Sequence, residues 1–359
     1  HHNLKNMARN ALRVLGFAYK RKKGGLKGKS LEKEYIFIGL MGLLDPPRPE
    51  VSEAVRQCKE AGIRINIVTG DFGETAKAIA KKTGIADDNT PLITGDELNK
   101  MDDTFLRNVL KNQCIFARVS PANKLRIITQ LQLMGEVVAV TGDGVNDAPA
   151  LKKSDIGVAM GLSGTDVARE SSDVVLSDDS FATIASAVEE GRRIYENIKK
   201  LIFYLFCGIS AELFAVFIGL FFGFLIGLPL PLLAIQILLI DLGVEVFPSI
   251  ALSFEPGEKD LMRKKPRNPD YRIMNKKMIT KGLFIGLLIG ASSLFLFYKS
   301  LTEGGWQPGI ELSQNSLVYL KATTITFATI MMFQMANAFN AKTEKDSIFS
   351  KNFFKNKLL

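Results

Sequence analysis

The sequence predicts a doubly wound α/β domain followed by an α-helical transmembrane bundle. Three observations predict it. Short apolar strands alternate with helical patterns from about residue 50 to residue 160. Two Gly- and Asp-rich loops sit at strand ends. Beyond about residue 200, four long apolar runs are separated by loops of contrasting charge.

A chain of 359 residues suggests two or three domains. Hydrophobic residues make up 47% and charged residues 23%, a mixture that excludes a disordered chain. Cys58, Cys114 and Cys207 are too few and too scattered for a disulfide scaffold, and no CxxC spacing suggests zinc. The net charge of +9 is compatible with nucleic acid, a membrane surface or acidic ligands such as ATP. The chain opens on His1-His2-Asn3 without an initiator Met or a signal-peptide pattern, so it is expected to begin partway through a longer protein.

The soluble elements follow in order. Residues 50–62 have helical apolar spacing and end on Gly62, a helix stop. Ile63–Val68 reads as a strand closed by Thr69-Gly70-Asp71, and Thr75–Thr83 as a helix. A strand at about Pro91–Ile93 precedes helical signals over about Asp96–Lys111. Cys114–Val119 is a strand, and Pro121–Met134 a helix with Lys124 in its first turn. Glu136–Val140 is a strand ending in the loop Thr141–Asp147 (TGDGVND); Ala148–Lys153 is helical, and Ile156–Met160 a further strand. Such alternation implies a parallel sheet, and ligands bind beyond the carboxyl ends of its strands. Both Asp-containing loops lie there.

Their chemistry is that of phosphoryl transfer. Gly142 and Gly144 allow close backbone approach, and Asp143 with Asp147 suits magnesium. Thr69 and the following N–H groups can bind phosphate oxygens at a helix start. Lys124 can neutralise a transferring phosphoryl group. An ordinary turn explains the first loop equally well, whereas the clustering of Gly, Asp and Asn in the second favours a site. A nucleophile is missing.

The apolar runs cover about 201–226, 231–254, 278–298 and 317–338. About 20 apolar residues cross a hydrocarbon core of ~30 Å. Arg192, Arg193, Lys199 and Lys200 flank the first run, Lys and Arg crowd residues 259–281, and Lys342, Lys345, Lys351, Lys355 and Lys357 follow the fourth. Loops 227–230 and 300–316 have no Lys or Arg. Positive segments stay inside, so both ends and the soluble half are expected in the cytoplasm. Carboxylates within spans are costly and mark function. Asp241 and Glu245, four apart, share a helix face. Pro248 lacks an N–H, which frees the Val244 carbonyl between them. Glu212 on the preceding span can complete a cage of oxygen ligands for a hard cation. Gln334 and Asn337, three apart on the fourth span, offer amide oxygens or plain interhelical hydrogen bonds.

These residues closely resemble the P-type cation-transporting ATPases. The resemblance rests on Asp45-Pro46-Pro47-Arg48, Val68–Asp71, Ala117–Pro121 with Lys124, Thr141–Pro149 and Ile240–Gly243, of which the run from Gly142 to Gly161 is the most specific. It implies a haloacid-dehalogenase-like phosphorylation domain over 45–190. It also implies the C-terminal end of a nucleotide-binding domain over 1–44 and a membrane domain over 191–359. In that family ATP phosphorylates the aspartate of a DKTGT motif, and a TGES motif drives dephosphorylation; neither occurs here, and both are expected upstream. The resemblance further implies Mg2+ at Asp143, with Asn146 and Asp147 holding the phosphorylated carboxylate region. Thr69, Gly70 and Asp71 face nucleotide and phosphoryl group, with Arg118 and Lys124 as cationic partners. Arg13 matches a nucleotide-contacting arginine; a solvated helix charge is its alternative. Asp45–Arg48 resembles an interdomain hinge.

The four spans match the fifth to eighth of the family's ten, and Glu212, Asp241 and Glu245 fall on its cation ligands. Asp241 and Gln334 resemble sodium pumps more than calcium pumps, whereas Ile209 and Val244 replace an Asn and a Thr of both groups. The implied partners are a transported cation, Na+, Ca2+ or similar, and the lipid bilayer, most naturally the plasma membrane, with no nucleic acid and an accessory subunit left open. A membrane-tethered phosphohydrolase of the haloacid-dehalogenase type is the alternative reading, against which the intramembrane carboxylates argue.

Overall fold

The computed structural model describes residues 2–20, 35–258, 260–342, 356 and 358. Lys259, the tail cations Lys345, Lys351, Lys355 and Lys357, and the segment 346–349 lie outside the described residues. The chain forms two compact units. One is His1–Glu189 with Met262–Pro269; the other is Glu190–Leu261 with Asp270–Leu359.

The first unit opens with helix α1 (His2–Arg9) and the antiparallel pair β1 (Leu12–Tyr19) and β2 (Ile36–Leu44). Helix α2 (Val51–Glu60) leads to β3 (Ile67–Thr69) and α3 (Gly73–Lys82). Then follow β4 (Leu92–Thr94), α4 (Gly95–Lys100), α5 (Asp103–Leu110), β5 (Ile115–Ala117) and α6 (Pro121–Leu133). The third stretch is β6 (Ala139–Gly142), α7 (Ala148–Lys153), β7 (Ile156–Met160), α8 (Asp166–Glu170) and β8 (Val174–Leu176).

Among the described residues the parallel strands form two sheets, ordered β3-β5-β4 and β6-β7-β8. Strands β3 and β6, which lead into the two Asp-containing loops, are therefore both edge strands. Leu98, Leu106, Leu110, Phe116, Ile127 and Leu131 form one buried cluster, with Val68 of β3 and Val138 just before β6 packed against it. Each such apolar side chain contributes about 1.5–3 kcal/mol on burial.

Local chemistry moves several expected boundaries. Ile63–Val68 reads as a strand, but only Ile67–Thr69 pairs. Side-chain bonds serve the preceding residues instead: Asn66 Oδ1 accepts from the Cys114 N–H (2.8 Å), and Arg64 donates to the Leu110 and Lys111 carbonyls. The helical run expected over Asp96–Lys111 is two helices. Asp102 Oδ1 accepts from the Phe105 N–H (2.7 Å) and so caps a new helix, while Thr94 and Glu97 form a capping box on α4.

The second unit holds four helices long and apolar enough to cross a membrane. Helix α9 (Phe181–Ile226) has 46 residues, and the boundary between units falls within it. The second span is α10 (Ala234–Leu239), a π-helical turn (Ile240–Val244) and α11 (Val246–Ser253). Helices α12 (Lys276–Glu303) and α13 (Leu317–Ala341) complete the set. On α12, Gly282, Gly286 and Gly290 lie against Phe206, Ser210 and Ala211 of α9, where a Cβ on any of them would collide. Small residues at this spacing let two helices approach closely in lipid.

The helix ends are tied by polar contacts. Gly309 donates to the Ile226 carbonyl (2.8 Å), and the Tyr319 hydroxyl to that of Leu230 (3.1 Å). Asn197 donates to the Ser253 and Glu255 carbonyls, and Lys342 pairs with Glu255 at 3.4 Å.

Candidate functional site

In the first unit, the loops after β3, β5 and β6 carry the candidate residues. Asp147 follows β6 through a single 3-10 turn, and Lys124 stands in the first turn of α6. Lys124 Nζ donates to Asp147 Oδ1 at 2.5 Å, which brings the carboxyl ends of β5 and β6 within one side chain's reach. The other Asp147 oxygen accepts from the Gly144 N–H at 3.3 Å. Asp143 and Asn146 are exposed. The Asp143 carbonyl accepts from the Thr165 N–H at 2.9 Å, which fixes the loop from its backbone.

At β3, the Asp71 N–H donates to Thr69 Oγ1 (3.0 Å), and the Val119 N–H to the Thr69 carbonyl (3.2 Å). This is the hydrogen bonding of a turn, with Gly70 and Asp71 exposed beyond it. Arg118, directly after β5, has φ 53°, an uncommon conformation for a residue other than glycine. Its guanidinium lies 5.1 Å from the centroid of the Phe72 ring. Arg13 is exposed on β1, paired in register with Leu43; it is not on a helix.

Mg2+ takes one or two carboxylates and completes its shell with waters and phosphate oxygens. An exposed Asp143 beside an Asp147 already paired to Lys124 fits such an ion through Asp143.

In the second unit, three carboxylates converge. Glu212 of α9, Asp241 of the π turn and Glu245 each present an oxygen, and these oxygens lie within 4.8 Å of one another. Glu212 and Glu245 are buried, whereas Asp241 is exposed. The π turn spans Ile240–Val244, so the backbone ladder is shifted just where both second-span acids attach; the Glu245 N–H donates to the Ile240 carbonyl, five residues back. Pro248 has no N–H for the Val244 carbonyl.

Gln334 and Asn337 are buried on α13 at 0% and 5% exposure. Among the described residues Glu212 Oε1, Glu245 Oε1, both Gln334 polar atoms and Asn337 Nδ2 have no hydrogen-bond partner; Asn337 Oδ1 accepts from Asn340. Converging carboxylates repel, and unpaired buried polar atoms cost about 1–3 kcal/mol each. A cation held among them offsets both. Ile209 is 51% exposed and adds no ligand.

Two residues here escaped the sequence reading. Tyr204 and Gly208 are buried on α9, the former with an unpartnered hydroxyl. They stand eight and four residues before Glu212, a spacing that places them on its helix face and could have found them.

This pairing of domains defines a class. Residues 8–155 match the family described as haloacid dehalogenase-like hydrolase, and residues 229–359 match the C-terminus of cation transporting ATPases. The chain is 42% identical over 355 residues to a calcium-transporting ATPase of Bacillus subtilis, covering 98% of this chain and 38% of that protein. It is 38% identical over 377 residues to the human potassium-transporting ATPase alpha chain 2 and to the human sodium/potassium-transporting ATPase subunit alpha-4, in each case 90% of this chain and 36% of the relative. The chain thus spans well under half the length of these relatives. It belongs to the P-type cation-transporting ATPases and is an integral membrane protein.

Proposed function

We propose that the protein is an ATP-driven cation pump working through an aspartyl-phosphate, whose nucleophile comes from a segment outside this sequence. The convergence of Glu212, Asp241 and Glu245 carries the transport half of this reading. The sheet edges support the other half. Strands β3 and β6 both end at candidate loops and both have an open edge among the described residues. A parallel strand between them would deliver its last residue towards Asp143, Thr69 and Lys124.

In this reading Asp143 holds magnesium, which when bound polarises the phosphoryl oxygens. Lys124 and Arg118 offset the charge of the transferring group, Asp147 fixes Lys124, and Thr69, Gly70 and Asp71 face the phosphate. Asn146 lies beside the phosphorylated carboxylate, and Arg13 faces the nucleotide. Glu212, Asp241, Glu245, the Val244 carbonyl, Gln334 and Asn337 hold the transported cation. The positive-inside pattern supports a soluble unit on the cytoplasmic side, and the family resemblance a plasma-membrane location. Helix α9 begins in the soluble unit and carries Glu212, so it couples two global states of different cation affinity.

The relatives' names divide among calcium, potassium and sodium/potassium. Asp241 and Gln334 favour a sodium-like site, and three carboxylates also suit calcium. The test is ATP hydrolysis by the full-length protein with sodium, potassium, calcium and manganese in turn. Stimulation by at least one is expected; a rate indifferent to all four would sink the proposal.

A further inference from the structure

Glycine within a helix is destabilising by about 1 kcal/mol relative to alanine, so a buried helical glycine calls for a reason. Gly208 lies buried inside α9. A Cβ built on it would collide with Glu245 Oε1 and Gln334 Nε2 and lie 3.0 Å from Glu245 Cδ. The carboxylate of the second span and the amide of the fourth therefore meet in one notch on the first. Their exposures are 3% and 0%, and Glu245 Oε1 and both Gln334 polar atoms are unpartnered among the described residues.

We infer that Gly208 is a positioning residue of the cation site: its missing side chain leaves the room in which Glu245 and Gln334 come together. This rests on the cation-site reading above and deepens it. A glutamine amide can present either its oxygen or its nitrogen. With the oxygen inward, Gln334 and Glu245 give two dry oxygen donors from different helices, a cation subsite whose width residue 208 sets. A methyl group there forces the carboxylate, the amide or both out of the notch, and the site loses oxygens it has already desolvated.

The test measures the Na+ or Ca2+ concentration, each supplied alone, that gives half-maximal phosphorylation of the full-length protein by ATP. Gly208→Ala is expected to raise it about tenfold or more, with little change in the maximal level, about 1.4 kcal/mol in binding. Gly191→Ala is the control on the same helix, because a Cβ there meets nothing within 4 Å.

Glu245→Asp withdraws the carboxylate by one methylene, so Gly208→Ala with Glu245→Asp should bind the cation more tightly than Gly208→Ala alone. Should Gly208→Ala fail to fold, the same double variant is read by thermal unfolding, with restored folding as the expected result. An unchanged cation dependence in Gly208→Ala, or a double variant no better than the single one by the readout used, overturns the inference. Glu245→Gln separates the two levels. If it too leaves cation dependence unchanged, the cation-site reading fails; if it changes that dependence and Gly208→Ala does not, the notch alone fails.

Discussion

Lys124 and Asp147, 23 residues apart in sequence, form a 2.5 Å ion pair with side chains only 19% and 16% exposed. The pair ties the first turn of α6 to the loop after β6. Removing Lys124 leaves a half-buried carboxylate without its cation, at a cost of about 1–3 kcal/mol. Lys124→Met should therefore lower thermal stability and also abolish phosphorylation by ATP. In a double-mutant cycle with Asp147→Asn, the losses should fall well short of additive. Strict additivity would mean that the pair contributes nothing.

The glycines of the same loop should behave differently. A Cβ on Gly142 would lie 2.5 Å from Asp147 Cβ, whereas one on Gly144 would have nothing nearer than 3.5 Å. Gly142→Ala should displace Asp147 from Lys124 and destabilise by about 1–3 kcal/mol. Gly144→Ala should be close to neutral. Thermal unfolding of the two variants side by side decides this, and equal effects would count against the geometry.

Asp143 is exposed, so its role should be separable from stability. Asp143→Asn in the full-length protein should leave the melting temperature within the range usual for surface substitutions, about ±0.5 kcal/mol. Phosphoenzyme formation from ATP and magnesium should be lost. Normal labelling would remove Asp143 from the magnesium site.

Asp179 holds the loop after β7. Its carboxylate accepts from the Leu162 N–H (3.0 Å) and the Ser163 N–H (2.8 Å). The Leu162 bond leads in holding its pKa down to about 2. A depressed folded-state value stabilises above the unfolded value of about 3.9, and that contribution is lost as pH falls towards 2. Asn tolerates the φ of 50° found here, so Asp179→Asn isolates the charge. The variant should melt slightly below the wild type at pH 6, and the gap should close between about pH 4 and pH 2. A gap independent of pH would contradict this.

Much of this was legible before the structure. Span composition marked all four membrane helices, because hydrocarbon tolerates little else. The spacing of Asp241 and Glu245 put both acids on one helix face, and their oxygens do lie within 4.8 Å of each other and of one from Glu212. The π turn was not legible: a proline removes one hydrogen bond but does not dictate how the ladder reorganises upstream. Lys124–Asp147 was not legible either, since a pair 23 residues apart depends on how two strands are placed. Spacing places Gly208 on the Glu212 face of its helix, but the notch it makes was not legible, because the side chains that meet there come from two other helices. The strand expected over Ile63–Val68 shrank because Arg64 and Asn66 spend their polar groups on neighbouring backbone, which hydropathy does not register.

The proposed pump holds its cation among Glu212, Asp241 and Glu245 and links it to phosphorylation elsewhere in the molecule. The most direct measurement is cation-dependent phosphorylation of the full-length protein carrying Glu245→Gln, alongside its phosphorylation by inorganic phosphate. The account predicts that about tenfold or more additional cation is needed for phosphorylation by ATP, while the reaction with inorganic phosphate persists. An unaltered cation requirement would contradict it.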